Sequence, residues 1–172
     1  INALFHSSSG GMTENSQDVW KNKYPYLSSV KDFDKKNPKL RWQKKFSNKE
    51  LFNLFPKIGG IKNIEILSIT DTGRVKNVKL YGAYGSDQIS GVDLRKKLGL
   101  NSTFVRFKLI EEQSKEFSTK KALVVFGQGY GHGVGMSQWG AKYMASKGQK
   151  AEKILKYFYQ GVQIKPFRKE YL

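Results

Sequence analysis

Apolar residues recur along this chain with two different periods, and they divide it into strands and short helices. Ile61, Ile64, Ile66 and Ile69 mark a strand over 61–70. Asp71-Thr72-Gly73-Arg74 reads as a turn, and Val75 to Tyr81 returns as a second strand, giving a hairpin. Val78 and Leu80 alternate, whereas Val75 is out of phase with them, which predicts a bulge. A short strand follows at 87–90. Thr103, Val105, Phe107 and Leu109 alternate with Phe104, Arg106, Lys108 and Ile110, a strand with two unlike faces. The polar residues 111–120 form a hairpin loop, and Lys121 to Phe126 is the returning strand. Residues 3–6 read as the end of one more strand, running into Ser7-Ser8-Ser9-Gly10-Gly11.

The helical segments are short and carry their own punctuation. Ser47-Asn48-Lys49-Glu50 has capping-box spacing, and Leu51, Leu54 and Phe55 supply a face, so a helix is expected over 48–55. Pro56 stops it and Gly59-Gly60 turns the chain. Asp93 to Leu98 is a second short helix, with Gly99 as its C-cap. Ser137 starts a helix over 138–147 that Gly148 closes. Ala151, Ile154, Leu155 and Phe158 put an amphipathic face on a helix over 150–159. Lys31 to Arg41 reads as a polar surface loop, and Trp20, Tyr24, Pro25, Tyr26 and Leu27 as an aromatic cluster. The class is α+β: antiparallel β-hairpins with a few short helices.

Composition narrows the chemistry. The 172 residues carry a formal net charge of +17, yet 38% are hydrophobic, too many for a disordered polycation. There is no cysteine, which removes disulfides, cysteine zinc sites and thiol nucleophiles, and two histidines are too few for a multi-histidine metal site. The longest apolar run, Ala122 to Phe126, is far short of the roughly 20 residues that span a bilayer. The charge should attract a polyanion: nucleic acid, anionic lipid or an anionic cell-wall polymer. The lysines are spread along the chain and no nucleic-acid-binding motif is present, so nucleic acid is not the expected partner. The chain opens at Ile1, as if a strand were already in progress, so a fragment is expected, with any signal peptide or membrane anchor upstream.

The distinctive segment is Gly127-Gln128-Gly129-Tyr130-Gly131-His132-Gly133-Val134-Gly135-Met136-Ser137-Gln138-Trp139-Gly140-Ala141. No Gly-Lys-Ser/Thr follows, so it is not a P-loop, and it only approaches the Gly-x-Gly-x-x-Gly pattern. Glycines let a backbone fold tightly around His132, converging His132, Ser137 and Gln138 between Tyr130 and Trp139. Amides, hydroxyls and aromatic rings in an uncharged setting suit a sugar. His6-Ser7 and His132 with Ser137 also supply the residue types of a Ser–His hydrolase, although neither lies in Gly-x-Ser-x-Gly. A His132 that only hydrogen-bonds inside a tight turn is the bland alternative. Both Gly/Ser-rich segments flank strands, so His6 or Ser9 is expected close to the His132 loop. The carboxylates read as solvated: Asp71 and Asp87 in turns, Glu50, Asp93 and Glu152 at helix starts, Asp32, Asp34, Glu111, Glu112 and Glu116 in charged loops, and Glu14 at a surface turn or helix start.

Taken together, Phe5-His6-Ser7-Ser8-Ser9-Gly10-Gly11, Trp20, Pro25-Tyr26-Leu27 and the long His-Gly-Val-Gly-Met-Ser-Gln segment resemble the stage II sporulation protein D family (SpoIID/LytB), which includes an amidase enhancer. Thr72 to Val75, Asp93 to Leu100 and Ile154 to Val162 resemble its other segments, so the similarity runs over residues 1–172 as one domain, the C-terminal portion of the family's fold. The resemblance implies a two-lobed protein with a glycan-binding cleft and lytic transglycosylase activity on denuded peptidoglycan strands during engulfment. It implies an extracytoplasmic location at the cell wall or membrane of a spore-former, with other engulfment cell-wall proteins as partners. It places the catalytic glutamate in a helical segment ahead of the His6 motif, so no catalytic residue is expected within this chain. A non-catalytic wall-binding module or amidase enhancer is the alternative. The substrate-binding residues expected are His6, Ser7, Ser9, Tyr26, Tyr130, His132, Ser137 and Gln138, with no cofactor. Some family members bind zinc through cysteine and histidine, which this cysteine-free chain does not match.

Overall fold

A computed structural model describes residues 1–20, 22–112 and 120–166. In chain order the elements are β1 (Phe5–His6), α1 (Ser16–Val19), β2 (Arg41–Phe46), α2 (Asn48–Leu54), β3 (Asn63–Ile69), β4 (Val75–Tyr81) and β5 (Ser86–Ser90). Then come α3 (Gly91–Lys97), β6 (Val105–Glu112), β7 (Lys120–Gln128), β8 (Met136–Ser137), α4 (Gln138–Ser146) and α5 (Ala151–Phe158). Two antiparallel sheets, ordered β3-β4-β5 and β2-β7-β6, carry most of the strand residues, so the α+β class holds. The expected hairpin loop over 111–120 lies mostly outside the described residues.

Local signals set the helix limits. Ser47 and Glu50 form the reciprocal capping box, and such a cap is worth about 1 kcal/mol. α3 begins at Gly91, earlier than expected, because the Ser90 hydroxyl accepts the Asp93 N–H and so serves as N-cap. The bulge is present. Leu67 on β3 has no partner between the Ile66↔Val78 and Ser68↔Asn77 pairs, and Lys76 on β4 has none between Ser68↔Asn77 and Ile69↔Val75. These extra residues turn Val75 inward beside Val78 and Leu80 despite its phase.

β2 takes Arg41, the last residue of the expected loop over Lys31 to Arg41, and continues through residues for which the pattern predicts no element. Arg-Trp-Gln-Lys-Lys-Phe shows few apolar letters, but Trp42 and Phe46 pack against the core while Arg41, Gln43 and Lys45 face solvent. The Trp42 ring lies where a side chain at position 127 would sit, which only Gly127 permits, and its Nε1 donates to the Gly129 carbonyl at 2.9 Å.

The apolar residues form two clusters. Leu51, Phe55, Val78, Leu80, Leu94, Leu123 and Val125 pack between the two sheets, α2 and α3. Leu27, Val134, Met144, Ile154 and Phe158 form the second, under α4 and α5. The glycine-rich segment joins them, running from the end of β7 to the start of α4.

Candidate functional site

The two Gly/Ser-rich segments meet in the structure, by backbone pairing. β1 lies parallel to β8, with Phe5 opposite Met136 and His6 opposite Ser137. Beyond β1, Ser8 and Tyr130 exchange both backbone bonds, at 3.1 and 2.7 Å. The Glu14 N–H then reaches the Gly133 carbonyl at 2.8 Å, and the Trp139 N–H reaches that of Ser7 at 3.1 Å. Glycine is required at these contacts. At Gly131, φ is +116° and a Cβ would stand 2.7 Å from the Cβ of His6. At Gly135, φ is +74° and a Cβ would run into the Leu4 carbonyl oxygen.

His6 and His132 are neighbours, with ring centroids 5.6 Å apart, and Trp20 stands on the other contact of His132 at 5.2 Å. His6 is buried, and its Nδ1 donates to the Val134 carbonyl at 3.1 Å. That bond assigns the proton to Nδ1 and leaves Nε2 a lone pair with no partner among the described residues. His132 has the other tautomer: its Nδ1 accepts the Val134 N–H at 3.1 Å. Burial, aided by the neighbouring His132, lowers the His6 pKa to about 3. Burial also lowers that of His132, against a hydrogen bond with the Phe5 backbone that raises it.

A stability effect follows. The unfolded imidazole titrates near 6.5, whereas the folded His6 stays neutral down to about 3. Its contribution to stability is fully present above 6.5 and is lost as pH falls toward 3, at ~1.4 kcal/mol per pH unit. Burial raises the pKa of Asp32, a contribution of opposite sign that favours the fold as pH falls. The two are separated by comparing urea midpoints of wild type and His6→Gln from pH 7 to 4. The wild type should lose more over that range; parallel curves would show that His6 is not held neutral.

Beneath the loops lies a charged network that corrects the expectation of solvated carboxylates. Glu14, Asp32 and Asp34 are buried, with relative exposures of 0%, 4% and 1%. Asp34 accepts the Ser8 hydroxyl at 2.5 Å and the Gly10 N–H at 2.7 Å, and Asp32 accepts the Ser9 hydroxyl at 2.6 Å. Glu14 accepts hydroxyls from Thr70 and Thr72 and pairs with Arg74 at 3.5 Å. Arg74 in turn donates to the carbonyls of Ser9 at 2.5 Å and Met12 at 2.8 Å. The β3–β4 turn therefore holds the Ser/Gly loop from below. Distance in sequence hid this: Arg74 and Glu14 lie 60 residues apart, and a charged residue seen alone reads as solvated.

The expected site residues fall into three groups. Tyr130 and Gln138 are exposed, with Ser7 and His132 half-buried near them in the paired loops, and His6 directly behind His132. Ser9 and Ser137 are buried; Ser9 holds Asp32, and the Ser137 hydroxyl accepts the Gly140 N–H at 3.1 Å as the N-cap of α4. They hold the loops in shape and present no surface. Tyr26 opens on a different feature, a groove of about 670 Å³ lined by Ile1, Pro25, Leu155, Tyr159 and Val162. Trp20, 39% exposed and against His132, belongs with the first group and was legible only as part of the aromatic cluster.

No group of three or more metal-ligating side chains occurs among the described residues. The surface the paired loops offer is one of aromatic rings, from Trp20 and Tyr130, the Gln138 amide and the half-buried His132 ring. Such groups stack on pyranose faces and pair with hydroxyl and acetamido groups.

The comparisons with known proteins agree with the sequence motifs. Residues 27–135 match a family described as Domain of unknown function (DUF8618). Stage II sporulation protein D of Bacillus subtilis (strain 168) is 38% identical over 167 residues, covering 95% of this chain and 45% of that protein. Its counterpart in Bacillus amyloliquefaciens is 36% identical, with the same coverage. The amidase enhancer of Bacillus subtilis (strain 168) is 29% identical, covering 95% of this chain and 30% of that protein. The chain thus spans less than half the length of these relatives. Similar to stage II sporulation protein D along nearly all its length, and matched over well more than half of it, the chain belongs to the DUF8618 domain family.

Proposed function

We propose that this chain is the glycan-holding part of a sporulation cell-wall protein, contributing one wall of a cleft in a larger two-lobed enzyme. The single observation that carries the reading is the pairing of the His6 and His132 loops, with Trp20, Tyr130 and Gln138 at their surface. The substrate is a peptidoglycan strand from which stem peptides have been removed. The work is extracytoplasmic, beside other engulfment cell-wall proteins.

The reaction is lytic transglycosylation. A carboxylic acid protonates the glycosidic oxygen linking N-acetylmuramic acid to N-acetylglucosamine, and the bond from that oxygen to muramic C1 breaks. The 6-hydroxyl of the muramic residue attacks C1, closing a 1,6-anhydro ring, and its proton returns to the carboxylate. The carboxylates bonded into the two loops are poorly placed for this. Glu14 is held by two threonines and Arg74, and Asp32 is packed against Gly140 and bonded to the Ser9 hydroxyl. The acid is therefore assigned to another part of the protein.

A second reading, a non-catalytic binding module, draws on the same burial of the loop carboxylates and on the similarity to an amidase enhancer. Incubating this chain with peptide-free strands tests both. Binding without 1,6-anhydro products is expected. Absence of binding would defeat the glycan reading, and unaided cleavage would place the acid within the chain. Cleavage restored by a polypeptide extended ahead of Ile1 favours the enzyme over the module.

A further inference from the structure

Beside the His132 motif lies a smaller pocket of about 270 Å³, lined by Arg95, Lys96, Gly99, Leu100, Asn101 and Tyr130. It is built on the end of α3 and fixed to the glycine segment, since the Gly131 N–H donates to the Asn101 carbonyl at 2.8 Å. One wall is thus Tyr130, whose 48% exposed ring also borders the paired loops. The opposite wall is cationic. Lys96 reaches back to Asp93 at 3.8 Å, but no carboxylate pairs with Arg95 among the described residues. The Arg95 Nε donates to the Leu100 carbonyl at 3.2 Å, which fixes the guanidinium plane and leaves its two terminal nitrogens for a ligand.

We propose that this pocket takes the carboxylate of an acidic sugar: the free lactyl carboxylate of a muramic residue, bound when the adjoining part of the strand lies on the His132 motif. The inference rests on the glycan reading above and adds a residue that tells a peptide-free strand from a peptide-bearing one. A guanidinium held in plane by its own Nε bond presents two parallel donors, the geometry a carboxylate accepts. A stem peptide converts that carboxylate into a neutral amide, which offers one acceptor oxygen and no charge. Half-burial between Tyr130 and Leu100 strengthens the pairing over that of an open surface arginine. The charge of Arg95 already acts on the neighbouring motif, lowering the His132 pKa further.

The test compares three oligosaccharides of equal length by isothermal titration calorimetry against the full chain. They are a peptide-free glycan, the same glycan with its lactyl carboxylates converted to methyl amides, and a chitin oligomer with no lactyl group. The wild type should bind the free acid about tenfold more tightly than the methyl amide, the ratio that ~1.4 kcal/mol of charge-assisted bonding gives. The chitin oligomer should match the methyl amide. Arg95→Gln should bring the free acid down to the affinity of the methyl amide. Equal binding of acid and methyl amide by the wild type overturns the inference while leaving the glycan reading intact. Binding of none of the three defeats the glycan reading itself, and the inference falls with it. The wild-type comparison varies only the ligand, so it stands even if Arg95→Gln disturbs the end of α3.

Discussion

Arg74→Met is expected to lower the unfolding free energy by roughly 3–5 kcal/mol, the cost of stranding one partner of a buried ion pair. Arg74 is 2% exposed and Glu14 is wholly buried. The substitution keeps the length of the side chain but removes the donors to Glu14, Thr72, Ser9 and Met12 together. Two loop carbonyls lose their partners, and the Glu14 carboxylate is left with Thr70, Thr72 and a backbone N–H. Domains of this size have only about 5–15 kcal/mol of net stability, so the variant should unfold at markedly lower urea. Adding Glu14→Gln to Arg74→Met removes the stranded charge and should recover part of the loss. Arg74→Lys keeps a charge but cannot span four acceptors, so it should fall between wild type and Arg74→Met. A loss below about 1 kcal/mol for Arg74→Met would mean that the network does not hold the loop. Because Arg74 fastens Ser9 and Met12, glycan binding should weaken even where the variant remains folded.

Local patterns were legible in this sequence, and of the long-range ones only the meeting of the two Gly/Ser-rich segments was. The β4 strand, the Ser47 and Ser137 caps and the amphipathic face of α5 each depend on residues within one or two turns of each other. The meeting of the His6 and His132 segments was also legible, because serine and glycine beside strands mark loops that approach one another closely. β2 was not, since its inward positions are shared between aromatic rings and the stem of Lys44, which donates to the Gly99 carbonyl. The buried acids were hidden for a related reason. Asp32 sits 4% exposed because Ser9 and Gly140 face it, and nothing near residue 32 in sequence announces either. These burials also sharpen the charge argument. With Glu14, Asp32 and Asp34 inside against one buried cation among the described residues, Arg74, the surface is more cationic than the net +17 implies.

Gly135→Ala is expected to damage the fold and the site together, and a second glycine supplies its control. Both Gly135 and Gly148 have left-handed backbone, with φ of +74° and +77°. Alanine at either position bears the strain of that conformation, about 1–2 kcal/mol. At Gly148 the added methyl meets nothing within 4 Å, so strain is the whole effect. At Gly135 it runs into the Leu4 carbonyl oxygen, which accepts the Met136 N–H at 3.1 Å and the Tyr159 hydroxyl at 2.7 Å, and it also crowds Leu27 at 3.3 Å. Relief requires β1 to move off β8. That movement breaks the Phe5↔Met136 and His6↔Ser137 pairing and displaces His6 from the Val134 carbonyl. The expected cost is strain plus roughly 2–3 kcal/mol for the lost backbone bonds and packing. Urea denaturation should therefore show Gly135→Ala well below Gly148→Ala, with glycan binding lost in the first and kept in the second. Equal destabilisation of the two would show that β1 accommodates the methyl without leaving β8, and that the close approach of the two loops is not what requires glycine at 135.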